Sequence, residues 1–91
     1  MKWRKKSIKV KLGGEYDIFS FPRKVTIKKV NIMATNRCPV KLYSGDSFWF
    51  DTVAMENKVI ESPMEVKEFE IISMTTGAES VITIRVGYKQ G

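Results

Sequence analysis

Glu65, Glu68 and Glu70, with Glu61 just upstream, are the densest group of side chains in this chain that could move a proton. Paired carboxylates act as acid and base in glycoside hydrolysis, but that chemistry also needs a walled cleft. Ninety-one residues leave little wall for one. The expected role of the three glutamates is a solvated strand face, or a docking face for Lys and Arg of another copy. Cys38 is the single cysteine, so no disulfide forms within the chain. The chain has no histidine, which excludes a Cys–His nucleophile built from its own residues. A metal site would need Asp or Glu oxygens, or ligands from another chain. Asp46 and Asp51 are five apart, and Ser44-Gly45-Asp46 is too poor in oxygen ligands for a calcium loop. Gly13-Gly14 joins two extended segments, whereas a phosphate loop needs a helix N-terminus behind it. No catalytic residue, cofactor or metal site is expected, and an enzyme is not.

Charge offers more. Residues 1–45 carry twelve Lys/Arg against Glu15 and Asp17, and residues 46–91 carry four against eight acids, within a net charge of +6. The leader holds Lys2, Arg4, Lys5, Lys6, Lys9 and Lys11 without an acid. Such a run favours polyanions: nucleic acid, anionic lipid or an acidic protein surface. Because the second half is acidic, copies could also associate with basic Arg4, Lys5, Lys6, Lys9 and Lys11 set against Glu65, Glu68 and Glu70 of a neighbour. Trp3 sits in this leader with no obvious strand partner and reads as an anchor, since tryptophan is enriched at binding hot spots. Trp49, between Phe48 and Phe50, is the second aromatic with interface potential. An outward Trp could stack on a base, a sugar or a partner chain.

The elements that position these residues follow a period of two. Ile8, Val10 and Leu12 alternate with lysines as a half-buried strand does. A three-residue loop at Gly13–Glu15 would pair Leu12 with Tyr16 and Val10 with Ile18, placing Lys11 across from Asp17. That strand ends at 19–22. In the next, Val25 and Ile27 have one parity and Val30, Ile32 and Ala34 the other, so a β-bulge is expected at Lys28-Lys29. Val40–Tyr43 and Ser47–Val53 flank a Ser44-Gly45-Asp46 turn, and Glu56-Asn57 reads as another turn. Ser62-Pro63 interrupts a strand near 58–61. Met64 and Val66 against Phe69 and Ile71 imply a second bulge near Lys67-Glu68. Thr75–Ala78 reads as a hairpin loop before Ser80–Tyr88. No segment has helical spacing over three turns. The expectation is an all-β, antiparallel β-sandwich of jelly-roll-like type with about eight short strands; a small β-barrel is the alternative. Residues 1–7 form a basic N-terminal arm and 8–89 the single domain. The longest apolar run is three residues, and a membrane helix needs about 20, so no membrane span is expected. No apolar core follows the basic leader, so no secretory signal is expected either.

The run VNIMATN…VKLYSGDSFWFDT, followed by VIESPMEVKEFEIIS and TTGAESVITIRVGYK, resembles the small all-β modules of tailed-phage virion proteins of the capsid decoration or fibre type. The resemblance spans roughly residues 25–89 and lies in the rhythm of strands and turns. It implies a non-enzymatic structural role: a capsid decoration or cement protein that forms homo-oligomers, often trimers, and docks on the major capsid protein surface. Its place would be the virion, assembled in the host cytoplasm. Two other readings stand beside it. One is a small nucleic-acid-binding β-domain using the basic half. The other is a carbohydrate-binding module using Trp49 and Tyr43.

Overall fold

Alternating apolar and polar residues dictate extended chain, and a computed structural model contains six β-strands and, among the described residues, no helix. The structure describes residues 1–45, 47–53, 57–75 and 77–90, with side chains described outside 46–63. In chain order the strands are β1 (Lys2–Val10), β2 (Glu15–Ala34), β3 (Pro39–Ser44), β4 (Ser47–Val53), β5 (Asn57–Ser73) and β6 (Ser80–Gln90). They form one sheet in the order β1-β6-β2-β5-β3-β4, and every neighbouring pair is antiparallel.

Six strands replace the expected eight because β2 and β5 each run through a point where the sequence suggested a break. β2 passes through Pro22 and β5 through Pro63. Neither proline must donate to a ladder, because both fall where pairing is interrupted, between Ser20 and Val25 on β2 and between Val59 and Met64 on β5. The bulge expected at Lys28-Lys29 is present: register skips from Ile27 to Lys29 against both β5 and β6. It lets Val25 and Ile27 on one side and Val30 and Ile32 on the other all face the core. The parity change on β5 is present too. Val66 and Phe69 are both buried, and Lys67 falls in the break between the pairs Val66–Val25 and Glu68–Ser20.

These irregularities divide the sheet into two portions. β1, β6, the second half of β2 and the first half of β5 form one. The first half of β2, the second half of β5, β3 and β4 form the other. Buried side chains of both portions belong to one core. Ile8, Val10, Ile82, Ile84 and Val86 come to it from the first portion, and Phe19, Phe69, Ile71, Val40 and Leu42 from the second. Phe19 stacks on Phe69 at 5.1 Å and Phe21 packs on Tyr88 at 4.9 Å.

Two expected hairpins are not formed. β1 pairs with β6 rather than β2, and the Gly13-Gly14 turn retains one turn hydrogen bond, Gly14 N–H to Lys11 O at 3.0 Å. Leu12, Tyr16 and Ile18 are consequently exposed instead of inward, and Phe19 and Phe21 take the core positions. The Thr75–Ala78 loop likewise joins β5 to β6, which lie on opposite sides of β2. β3 and β4 do form a hairpin, with Gly45 at positive φ in its turn. Gly14 must be glycine: its φ is +99° and a Cβ there would lie 2.7 Å from the Ser73 carbonyl oxygen. The loops at one end are tied by side chains. Ser80 Oγ donates to Asn36 O at 2.8 Å, Asn36 Nδ2 to Glu79 O at 2.7 Å, and Thr75 Oγ1 to Ala78 O at 2.6 Å.

Candidate interaction surfaces

The leader that reads as a free arm is a paired strand. Trp3 lies opposite Gly87, Lys5 opposite Arg85, Ser7 opposite Thr83 and Lys9 opposite Val81. Trp3 therefore has the strand partner its sequence context did not reveal. Strand alternation splits the leader's charges between two jobs. Trp3, Lys5, Ser7 and Lys9 point outward, whereas Arg4 and Lys6 share the parity of buried Ile8 and Val10.

Arg4 and Lys6 close the seam between β1 and the first half of β2. The Arg4 guanidinium donates to Ser20 O at 2.7 Å and lies 5.4 Å and 5.1 Å from the ring centroids of Phe19 and Phe21. Lys6 Nζ donates to Ile18 O at 3.0 Å and pairs with Asp17 at 3.0 Å. Partial burial opposes charge on Asp17, but the Lys6 hydrogen bond, the Ile18 N–H and the Lys6 charge together hold its carboxyl below the ordinary value. β1 is an edge strand. Inward-pointing charges on such a strand protect it from pairing with stray chains. Lys11 lies beyond β1, and its carbonyl accepts the turn hydrogen bond.

The outer face of the first portion is basic. Its cross-strand rows run Trp3–Gly87–Lys29, Lys5–Arg85–Asn31 and Ser7–Thr83–Met33. β1 and β6 contain no carboxylate. The Trp3 indole lies on the Gly87 backbone, so close that a Cβ at Gly87 would come within 3.0 Å of it. The Arg85 guanidinium lies 5.6 Å from the indole centroid. Trp3, Arg4, Lys5, Thr83 and Arg85 line a shallow depression here. Trp3 remains 42% exposed.

The outer face of the second portion differs. Its rows run Tyr16–Ile72–Lys41, Ile18–Glu70–Tyr43 and Ser20–Glu68. Tyr16 and Ile72 are exposed, and so is Met74 two residues further on. Desolvation against this face, followed by the Glu70 and Glu68 charges and a hydrogen bond to Glu70, pushes the Tyr16 phenol above its ordinary value. The three glutamates are not one face. Glu68 and Glu70 belong here, but Glu65 lies across the bulge, opposite Thr26, whose other neighbour is Lys89 on the basic portion.

Arg85, Tyr16, Ile18 and Ile72 were not singled out by the sequence. Arg85 becomes important only through the β1–β6 pairing. For Tyr16 and Ile18 a signal existed: apolar residues at both parities, 16 and 18 against 19 and 21, require one pair to face out. The larger phenylalanines win the interior. Trp49 is the residue skipped where β4 shifts register against β3, and its side chain lies outside the described residues. The same holds for Phe48, Phe50, Asp46, Asp51 and Glu61; of the turn expected at Glu56-Asn57, Glu56 lies outside the described residues and Asn57 is the first residue of β5. Cys38 is buried, its thiol donates to Met74 O at 3.4 Å, and burial pushes its pKa up. Among the described residues, no three metal-ligating side chains converge and no helix is long and apolar enough to cross a membrane. Comparison with protein families, with curated proteins and with solved structures found no match.

Proposed function

We propose that this chain is a non-enzymatic structural protein of a virion, a capsid decoration protein that acts by docking its outer faces onto other proteins. One observation carries the reading: a single sheet presents a basic, tryptophan-bearing face on β1 and β6 and a glutamate-bearing apolar face on β2, β5 and β3. Both are broad sheet surfaces, suited to another protein surface more than to a small molecule. In this reading the basic face lies on an acidic surface, of the capsid or of a neighbouring copy, with Trp3 as the apolar anchor. Many weak contacts repeated by symmetry then give stable attachment. The test is peptide mass spectrometry on density-purified particles from the organism that encodes the chain. Stoichiometric presence is expected, and its absence from particles carrying the other capsid proteins overturns the reading.

A second reading has a specific observation behind it. Trp3, Lys5, Lys29 and Arg85 would also suit a single-stranded nucleic acid, with phosphates on the cations and a base on the indole. Such binding weakens steeply with salt. A titration that stays flat between low and moderate salt removes it.

A further inference from the structure

We propose that the basic outer face of one copy docks on the apolar, glutamate-bearing outer face of the next, so that the chain assembles head to tail with itself. The inference rests on the structural role proposed above and names the neighbour. Its basis is that one face carries its cations, and the other its carboxylates, one step from its large exposed apolar side chains.

On the basic face, the row holding Trp3 is one two-residue step from the row that sets Lys5 beside Arg85. On the other face, the row holding Tyr16, Ile72 and, at its β3 end, Lys41 is one such step from the row holding Glu70, and Glu68 follows one step further. Sheet geometry fixes these steps at about 6.5–7 Å along a strand and about 4.8 Å between strands on both surfaces. With Trp3 on Tyr16 and Ile72, the Lys5–Arg85 row falls over the Glu70 row, and Glu68 lies one step beyond, within reach of these long side chains. Like-with-like contact is disfavoured. A two-fold dimer through the basic faces would set Lys5, Lys9 and Arg85 against their own copies, and one through the other faces would oppose Glu68 and Glu70.

A contact between two different surfaces is heterologous. It leaves one free face of each kind on every added copy, so it closes into a ring or extends as a chain. Both charge pairs and the tryptophan are surface groups, so each contact should be weak and assembly dependent on concentration.

The test uses two double variants of the full chain. W3S/R85S damages only the basic face, and Y16S/I72S damages only the opposite one. All four positions are solvent-exposed or half-buried, and thermal melts verify that each variant folds. Nuclease-treated wild type should form trimers or larger species by light scattering. Each variant alone should be monomeric at concentrations at which wild type assembles, a loss of at least tenfold in apparent affinity. Mixed one to one, the variants should give a dimer that grows no further, because only one intact pair of faces remains. Failure of the mixture to dimerise overturns the head-to-tail contact, and so does a dimer formed by either variant alone. A wild type that stays monomeric, or elutes only with salt-labile nucleic acid, overturns it as well. Presence of the chain in particles is scored separately, so the docking reading can stand where this inference falls.

Discussion

The outer faces of the two portions of this sheet share a core and a pleat, yet carry opposite chemistry. One is built on β1, β6 and the second half of β2 and offers Trp3, Lys5, Lys29 and Arg85. The other, on the first half of β2, the second half of β5 and β3, offers Tyr16, Ile18, Ile72, Glu68 and Glu70. β2 and β5 pass between the two, and bulges mark the crossings. A bulge thus does more than keep apolar residues inside. It assigns the polar residues on either side to different surfaces, which is why Glu65 is separated from Glu68 only three residues away.

The hardest way to break the comparison is from beneath. Phe69→Ala, under the glutamate face, should cost about 3–5 kcal/mol, and Ile84→Ala, under the basic face, about 2–5 kcal/mol. Because one core joins both portions, each should unfold in a single transition in urea, followed by circular dichroism. Two separated transitions would make the portions independent. Glycines sharpen the contrast next. Gly14→Ala should cost roughly 1–3 kcal/mol, because positive φ and the Ser73 carbonyl both oppose a Cβ. Gly87→Ala meets the movable Trp3 ring and Met1 instead. It should leave stability within about 1 kcal/mol of wild type but shift Trp3 emission, read in a Trp49→Phe background.

The seam between the portions gives smaller effects. Arg4→Ala removes a backbone hydrogen bond and the contact with Phe19 and Phe21, and should lower stability by on the order of 1 kcal/mol in a chemical melt. Asp17→Asn should give the smallest effect. The folded carboxyl titrates below the ordinary value of 3.8, so its contribution is complete above that value. It is lost as pH falls through the lower folded value. Wild type and variant should therefore differ slightly in melting temperature at pH 7 and converge as pH drops well below 4. A difference that persists in acid would detach the effect from Asp17 ionisation.

Strand content, the bulge at Lys28-Lys29 and the parity change before Phe69 were legible because each follows from where apolar residues fall along a single strand. Pairing was not legible. Ile8, Val10 and Leu12 followed by Gly13-Gly14 read as a hairpin arm, yet β1 binds β6, and nothing local in residues 1–14 specifies a partner at 80–90. The error carried into the surfaces. With β2 as its partner, β1 would bury Leu12, Tyr16 and Ile18 and leave Trp3 unattached. With β6 as its partner, Trp3 gains a glycine bed and an arginine, and Tyr16 and Ile18 become surface. Trp3, Lys5, Glu68 and Glu70 stood out in the sequence, but Arg85, Tyr16, Ile18 and Ile72 did not, because their exposure and grouping depend on strand order.

The β1–β6 ladder has a kinetic consequence. Its nearest pair, Val10 with Ser80, is seventy residues apart along the chain, and its farthest, Lys2 with Tyr88, more. Such pairs bear their loop-closure entropy before any of them is rewarded, whereas the β3–β4 hairpin closes across Ser44 and Ser47. The hairpin is therefore expected to close early and β1 to dock late. Substitutions at Ile8 should speed unfolding and leave the refolding rate nearly unchanged. Until β1 docks, β6 has an open edge, and the basic leader is free to find a polyanion before it finds its own sheet.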